Sequence, residues 1–488
     1  MKDPARGKGA GTGIVQGMRK WSPLIAVCLG TFLLLVDVLI VVVALPAISA
    51  DFRADYADLQ WVLDGYALSL AALVLGAGSL ADRFGRRRIY LIGIGIFAIS
   101  SLLCAVAPNE QALIAARILQ GIGGAAMFAC TAALLNFTYR GRDRGVAFGV
   151  WGAVNGAAAA AGPLAGGLLT QHLGWRWVFL VNLPVCLIAV WFTVRGVSES
   201  RAPSGGRLDL PGTISFTVAA AAVTYGLIRA GDAGWTDGVT LAAFAAGLVA
   251  LVLFLLAEAR SDHPMLDLTL FRRARFTVLI VAAFLAQAAA FAYLPFSTIW
   301  LQQVLGNGPV DAGLYGALPM AAAALVVGAS TGRFLQRIAP RWTVGLGLLL
   351  IAAGDLLQAR IGTDSTGAIL IPGLIVAGLG VGCVLPTNAA AVLAEVPRER
   401  SGMAGGALNA FRQLGLAFGV AVFGTVFTNR VANRHGTPAG FADGLNATLL
   451  VASGTALAAG ILVLVLVRKH AAAPVAAHAP ERAGPPAH

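Results

Sequence analysis

The stretch of sequence that decides the fold is PLIAVCLGTFLLLVDVLIVVVAL, at residues 23–45, in which Asp37 is the only charged residue. A helix of about 20 apolar residues is long enough to cross the hydrocarbon core of a bilayer. Apolar runs of this length recur about fourteen times along the 488-residue chain. The sequence therefore predicts an all-α integral membrane protein with 14 transmembrane helices.

Composition excludes a soluble enzyme. Hydrophobic residues make up 58% of the chain and charged residues 12%, whereas soluble proteins carry about 25% charged residues. The net charge of +12 would suggest a nucleic-acid partner only if a soluble basic domain existed. Fourteen helices leave about 35 residues each for helix plus connection, so no such domain fits. We expect neither catalytic activity nor nucleic-acid binding.

The residues that usually carry cofactor or metal chemistry lie in unsuitable places. All five cysteines are inside apolar runs, where we expect them to act as small hydrophobic residues, and all six histidines are in loops or the tail. The glycine-rich segment 378–382 follows no strand, so helix packing explains it better than nucleotide binding does. We expect no metal, no cofactor and no nucleotide, and any proton relay must use carboxylates.

Polar, breaker-rich segments divide the apolar runs into groups. The first follows six predicted helices, and the second comes two helices later, before six more. Six plus six is the usual plan of duplicated transporters. The predicted organisation is a basic N-terminal tail (1–20), a six-helix bundle (21–194), connections with two linking helices (195–275, with helices at about 211–230 and 239–257), a second six-helix bundle (276–467) and a disordered tail (468–488).

The distribution of basic residues predicts the orientation. A cytoplasmic N-terminus places about 27 of the 35 Lys and Arg residues on the cytoplasmic side, as the positive-inside rule requires. We therefore expect a multi-pass protein of the cytoplasmic membrane with both termini inside the cell. Arg outnumbers Lys, and Ala and Gly are abundant, which is typical of a GC-rich bacterium.

Three charged residues inside predicted spans form a candidate site: Asp37, Asp64 and Arg117. A charge at the bilayer centre costs about 2.5 to 3.5 kcal/mol on insertion scales, so such residues are functional candidates. All three lie about 9 to 12 Å from the outer ends of their helices. Burial favours a protonated acid while an arginine favours a carboxylate, which predicts a proton-coupling or cation-recognition site. Asp355 has a similar depth, but we expect its helix to be peripheral.

A structural interpretation of these charges remains open. Arg117 could pair permanently with one Asp and lock two helices together, while the other Asp reaches the outer interface. The two interpretations differ in whether the acids change protonation state during function.

The connection GSLADRFGRRR, at residues 78–88, carries a more specific pattern. Topology explains its arginines, but Asp82 between two glycines suits a tight turn in which an acid faces basic side chains or a helix N-terminus. The pattern resembles the signature of the major facilitator superfamily. Its residues are Gly78, Asp82, Arg83, Gly85, Arg87 and Arg88.

Further motifs resemble those of the fourteen-helix drug:proton antiporter family, which comprises multidrug and antibiotic-resistance exporters. The resemblance covers nearly the whole chain. The matching segments are VDVLIVVVALP (36–46), WVLDGY (61–66), RILQG (117–121), Gly149 with GPLAGG (162–167), WRW (175–177), LFR (270–272) and RQLG (412–415).

This resemblance implies two six-helix bundles of the major facilitator type plus two linking helices. It also implies an alternating-access exporter that expels lipophilic, often cationic drugs or antibiotics in exchange for protons. Asp37 and Asp64 match acids used for proton coupling or cation recognition, and Arg117 matches an arginine tied to proton transfer. The motif around Asp82 would close the cytoplasmic side.

The resemblance also assigns a role to the fifth helix. Gly162 and Pro163 would bend it and seal the pathway against proton leak. Proline removes a helix hydrogen bond and glycine permits close approach, so bending and tight packing are also expected on physical grounds. Small-residue packing alone remains an alternative for Gly166 and Gly167.

The chain departs from the family pattern next to Asp37, where Leu39 and Val42 replace a Thr and an Asn that are often found there, and Ala158 replaces a glycine. We therefore expect Asp37 to lack polar partners. Aromatic and amide side chains suited to amphipathic ligands make up a possible substrate cavity. They are Tyr66, Gln120, Trp151, Asn155, Gln287, Phe291, Tyr293 and Phe296.

The expected partners are a small amphipathic substrate, protons and the lipid bilayer. Each pair of bundles encloses its own pathway, so the protein is expected to function as a monomer. A dedicated exporter of one endogenous metabolite or antibiotic, conferring self-resistance, remains the alternative function.

Overall fold

The computed structural model describes residues 9–53, 56–201, 209–261, 266–331, 338–397 and 400–467. These residues form seventeen α-helices, with short 3-10 and π turns beside them, and contain no strand. The helices are α1 (Gly9–Phe52), α2 (Tyr56–Phe84), α3 (Arg86–Ala105), α4 (Glu110–Thr138), α5 (Gly141–His172), α6 (Trp177–Leu180), α7 (Asn182–Gly196), α8 (Leu210–Ala233), α9 (Gly238–Arg260), α10 (Ala274–Phe291), α11 (Leu294–Ile299), α12 (Pro309–Gly316), α13 (Leu318–Thr331), α14 (Pro340–Gln358), α15 (Ile371–Ala394), α16 (Ser401–Asn433) and α17 (Pro438–Leu466).

Prolines explain two interruptions within predicted spans. The span at 276–302 breaks after Phe291 and restarts with Pro295 in the first turn of α11. The span at 313–332 breaks at Ala317, shortly before Pro319. Proline has no N–H to donate and disfavours helical geometry in the residue before it, so each helix restarts around the proline.

Twelve segments among the described residues are long and apolar enough to cross a membrane. The pair α12 and α13, bent by 49°, forms a thirteenth if it counts as one span. The all-helical membrane fold is therefore confirmed. Helix α5, which contains eight glycines among its 32 residues, is the remaining segment of the prediction and is not among these thirteen. The number fourteen stays a prediction.

Helices α1 to α7 pack on one another, and so do α10 to α17; we call these the first and second bundles. The bundles meet along two seams, where α2 lies against α16 and α5 lies against α13. Helices α8 and α9 pair as a linking hairpin, and α8 contacts both α2 and α16. The hairpin therefore bridges the two bundles along one seam.

The predicted terminal segments are only partly described. Helix α1 begins at Gly9, inside the predicted N-terminal tail. The predicted disordered tail (468–488) lies outside the described residues.

Candidate functional site

Asp37 on α1 and Arg117 on α4 form an ion pair in the interior of the first bundle. Both side chains have 0% relative exposure. Because water does not reach this pair, each charge depends on the other and on neighbouring polar groups for stabilisation. Two of the three residues that the sequence placed at one depth are thus brought into direct contact.

Further contacts fix the guanidinium of Arg117. Its Nε donates to the backbone oxygen of Val62 at 2.9 Å, and its Nη1 donates to Oε1 of Gln120 at 2.6 Å. The guanidinium lies over the ring of Tyr66, 4.4 Å from the ring centre, in cation–π geometry. Its Nη2 has no hydrogen-bond partner among the described residues. This nitrogen therefore remains available as a hydrogen-bond donor if the contacts of Arg117 change.

Two buried amides complete the surroundings of the carboxylate. Asp37 Oδ1 accepts hydrogen bonds from Gln120 Nε2 at 2.9 Å and from Asn182 Nδ2 at 2.8 Å. The same two amides donate to Ser101 Oγ, at 2.8 Å and 3.4 Å. We call Asp37, Ser101, Arg117, Gln120 and Asn182 the buried network. It joins α1, α3, α4 and α7 and contains one formal negative and one formal positive charge.

The expectation that Asp37 lacks polar partners was wrong. Leu39 and Val42 supply none, but Asp37 receives its hydrogen bonds from α4 and α7 instead. Sequence reasoning considered only the helix that carries Asp37, whereas packing brings in donors from distant segments. Ser101 was missed altogether; the only signal was a serine pair, Ser100 and Ser101, inside an apolar run.

Asp64 and Asp355 lie apart from the buried network. Asp64 on α2 is half-buried, and it is not among the hydrogen-bond or ion-pair partners of Asp37 and Arg117. Asp355 is on α14, in the second bundle, and is fully buried. The structure thus pairs one of the predicted acids with Arg117.

Glycines of α5 position the helix that carries Asp37. A Cβ atom on Gly162 would lie 2.6 Å from Leu39 Cβ, and one on Gly166 would lie 2.9 Å from the backbone oxygen of Ile40. Contacts this close leave no space for a side chain, so the two helices approach backbone to backbone. Helix α5 continues through Pro163, and Gly149 and Gly167 are also buried on it.

Asp82 connects the two bundles at the end of the molecule that carries residues 82–88, which we call the arginine-rich end. Its carboxylate accepts from Arg86 Nη2 at 2.6 Å and, across the seam, from the backbone N–H of Met403 at 2.9 Å. Met403 lies in the first turn of α16, where unpaired N–H groups and the helix dipole favour an anion. Gly78 and Gly402 allow the approach, since a Cβ on either would lie within 2.9 Å of the other helix.

The rest of this motif is anchored within the first bundle. Gly85 has φ +114°, a left-handed backbone that glycine adopts without strain. Arg87 N–H donates to Glu199 Oε1 at 3.1 Å, and Arg88 lies 3.7 Å from Glu199 Oε2. Arg83 is exposed. Asp82 is thus the motif residue that crosses between the bundles.

The predicted cavity residues fall into separate environments. Tyr66 and Gln120 belong to the surroundings of Arg117. Trp151 is buried and donates to Thr31 Oγ1 at 2.9 Å, and Asn155 donates to the backbone oxygen of Trp151. The remaining four are in the second bundle, where Gln287 and Phe291 are half-buried and Tyr293 and Phe296 buried.

No group of three or more His, Cys, Asp or Glu residues in the described part of the chain is arranged to hold a metal ion. The five cysteines are free.

Comparison with protein families matches residues 27–420 and 279–485 to the Major Facilitator Superfamily. This chain belongs to the Major Facilitator Superfamily. The multidrug resistance protein Stp of Mycobacterium tuberculosis is 37% identical over 405 residues, which cover 83% of this chain and 75% of Stp. The puromycin resistance protein of Streptomyces alboniger is 37% identical over 461 residues, covering 92% and 90%.

A third relative is the tetracenomycin C resistance and export protein of Streptomyces glaucescens, 34% identical over 416 residues that cover 85% of this chain and 77% of that protein. Among solved structures, the human organic anion transporter MFSD10 superposes with a TM-score of 0.64 at 18% identity, over 91% of this chain and 99% of that one. This superposition shows a shared fold. The Major Facilitator chain is thus a multi-pass membrane transporter whose relatives are drug and antibiotic resistance proteins.

Proposed function

We propose that this protein is a proton-coupled antiporter that exports lipophilic, often cationic drugs or antibiotics across the cytoplasmic membrane by alternating access. The observation that carries the proposal is the fully buried pair of Asp37 and Arg117. The relatives named for multidrug and puromycin resistance support the substrate class.

The buried network suits an acid that changes protonation state. In the ionised state, Arg117 and two amides stabilise the Asp37 carboxylate. When Asp37 is protonated, its charge no longer balances that of Arg117, so the guanidinium must find another partner or the helices must move. Proton binding at Asp37 is thereby linked to the packing of α1, α3, α4 and α7.

The driving force is adequate for export. One proton entering across about 100 mV and one pH unit supplies about 3.7 kcal/mol, enough for a gradient of about 500-fold for a neutral substrate. When one proton is exchanged for one monovalent cation, the electrical contribution cancels, and the attainable substrate gradient is about tenfold. Asp64 is the proposed second acid, and Asp64→Asn should then reduce the gradient attainable for cations more than that for neutral compounds.

The test uses purified protein in liposomes with an internal pH dye and an imposed proton gradient. Tetraphenylphosphonium and a panel of neutral antibiotics are added to the parent, to Asp37→Asn and to Asp51→Asn. Asp51 lies on the same helix, in an exposed ion pair with Arg176, and is the matched control. We expect the parent and Asp51→Asn to dissipate the gradient and Asp37→Asn not to. Equal responses from all three would exclude Asp37 as the coupling group.

A dedicated exporter of one endogenous compound is the second candidate. The relative named for tetracenomycin C resistance and export favours it. If no compound of the panel moves protons through the parent, while a culture extract of the producing organism does, the dedicated function replaces the multidrug one.

The proposal includes fourteen membrane crossings, with α5 as the fifth, and both termini in the cytoplasm. This orientation places the arginine-rich end inside the cell, in agreement with the positive-inside rule. The protein is proposed to work as a monomer.

A further inference from the structure

Asp355 is a buried acid that the buried network does not use. It lies near the end of α14, with 0% relative exposure. Neither of its carboxylate oxygens has a hydrogen-bond partner among the described residues. An ionised carboxylate buried in this way loses its hydration without compensation, and such a group neutralises by taking up a proton.

Two buried polar side chains belong to the same region of the second bundle. Gln358, one turn further along α14, is fully buried and donates from Nε2 to the hydroxyl of Tyr293 at 3.2 Å. Tyr293, in the break between α10 and α11, is also buried and lies within electrostatic range of Asp355. Gln358 Oε1 accepts no hydrogen bond from the described residues. Three buried acceptor oxygens, the two of Asp355 and Oε1 of Gln358, thus have no donor among the described residues, and a proton on Asp355 adds one.

Among the residues that the structure describes, no cation is paired with Asp355. Helix α15, which packs against α14, contains no charged residue. On α17, Asp443 pairs with Arg434, and on α10, Arg275 pairs with Glu395. In the connection that follows α14, Arg360 and Asp364 are exposed. Arg341 lies at the opposite end of α14 from Asp355. This environment contrasts with that of Asp37, which has Arg117.

The pocket is closed by direct backbone contact between α14 and α15. A Cβ on Gly354 would lie 2.4 Å from Ala377 N, and one on Gly373 would lie 2.5 Å from Gln358 Cγ. The contact between these two helices therefore helps to exclude water from this part of α14. Their separation during transport would expose Asp355 and allow its proton to leave.

The duplicated plan relates this pocket to the buried network. Helix α3 is the third crossing segment of the first bundle, and α14 is the third of the second. Ser101 and Asp355 are each the sixteenth residue of their helix, and Cys104 and Gln358 are each the nineteenth. Asp355 therefore lies as far along α14 as Ser101, a member of the buried network, lies along α3.

We propose that Asp355, with Gln358 and Tyr293, forms a second proton-binding site in the second bundle. Its part in transport rests on the proposed antiport function, whereas its occupation by a proton does not. With two protons exchanged for one monovalent cation, the attainable gradient rises from about tenfold to about 5,000-fold under the conditions given above.

Two measurements test the site. Infrared spectroscopy of the protein in lipid at neutral pH detects the C=O stretch of a protonated carboxylic acid. We expect this band in the parent and in Asp364→Asn, and its loss or marked decrease in Asp355→Asn. The proton-to-substrate ratio, measured in liposomes with tetraphenylphosphonium at the gradient where net transport stops, should fall by about one proton in Asp355→Asn.

The outcomes are distinct. An unchanged band in Asp355→Asn overturns the site, and so does an unchanged ratio in a variant that still transports. If the parent moves no protons with any compound, the proposed antiport fails, and the infrared band alone decides whether the proton site exists. Should Asp355→Asn fail to fold, Tyr293→Phe replaces it, because loss of the neighbouring hydroxyl shifts the band of Asp355; an unshifted band contradicts the proposal.

Discussion

Arg117 holds the site together through the geometry of its guanidinium. Three partners lie in three directions: the carboxylate of Asp37, the amide oxygen of Gln120 and the backbone oxygen of Val62. A planar fork of donors meets all of them at once, while an ammonium is a single point of charge on a flexible stem. A positive charge alone is therefore not sufficient at residue 117, and the shape of the guanidinium group is also needed.

Arg117→Lys should lower transport at least about tenfold although the charge is kept. Loss of one hydrogen bond to a charged group in a buried site costs about 1.5 to 3 kcal/mol, and about 1.4 kcal/mol corresponds to tenfold. Initial rates of substrate-driven proton movement in liposomes give the measurement. Arg176→Lys is the control, since its ion pair with Asp51 is exposed. Equal losses in both variants would contradict the argument.

Asp51 carries a prediction for stability in acid. Its pKa is lowered by the hydrogen bond from Arg176 and then by that from Trp175. A lowered pKa in the folded state stabilises the protein above the usual Asp value of about 3.9, and this stabilisation is lost as the pH falls through the folded pKa. In thermal unfolding of the detergent-solubilised protein, the melting temperature of Asp51→Asn should therefore fall less steeply than that of the parent below about pH 4. Parallel curves would show that the contact contributes nothing.

At the scale of helices, α5 determines where α1 lies. Gly162 and Gly166 bring the α5 backbone against Leu39 and Ile40, two and three residues beyond Asp37. Any shift of α1 changes the distance between Asp37 and Arg117. The packing of α5 against α1 therefore affects the distance between the two members of the ion pair.

Gly166→Ala should destabilise the protein by about 1 to 3 kcal/mol, the usual cost of overpacking, and should reduce transport. The new methyl group meets the backbone of Ile40 at 2.9 Å, and a backbone cannot turn aside as a side chain can. Gly454→Ala on α17 is the control, because nothing lies within 4 Å of the added Cβ. Thermal stability and transport are measured for both. A Gly166→Ala variant indistinguishable from Gly454→Ala would refute the close-packing role.

Parts of this architecture follow from sequence and others do not. Long apolar runs predict membrane helices because each helix satisfies its own backbone hydrogen bonds. The presence of Asp37 and Arg117 within such runs predicts an ion pair between them, because an isolated charge in the membrane is costly. Asn182 and Ser101 as partners of Asp37 depend on how four helices rotate and pack. A hydropathy pattern contains no such information.

At the scale of the whole molecule, the arginine-rich end is closed by Asp82. One carboxylate meets Arg86 within the first bundle and the first turn of α16 in the second. In the proposed alternating-access cycle the bundles separate at this end in part of the cycle, so the contact would stabilise one of two states. Its strength sets how the protein divides its time between them.

Asp82→Asn should shift the population towards states that are open at the arginine-rich end, by about tenfold or more, since hydrogen bonds to a charged group are worth about 1.5 to 3 kcal/mol. Spin labels at Thr138 and Ala274, both exposed, report the separation by pulsed electron resonance. The five native cysteines are free and must first be replaced. Asp143→Asn, which breaks an exposed pair with Lys20, should leave the distances unchanged. Identical distance distributions for both variants would show that the Asp82 contact does not hold the two bundles together at this end.

The linking hairpin gives the molecule two unlike flanks. Trp61 of α2 stacks on Tyr225 of α8, and Trp235, after α8, donates to Thr425 of α16 at 2.7 Å, so the hairpin covers the α2–α16 seam. Neither α8 nor α9 packs on the α5–α13 seam, where α12 and α15 of the second bundle contact both helices. A lipid-dissolved compound that diffuses around the protein therefore meets one flank that the hairpin covers and one flank that it does not cover. A substrate that enters sideways from the bilayer should therefore do so at the α5–α13 seam, because the hairpin covers the α2–α16 seam.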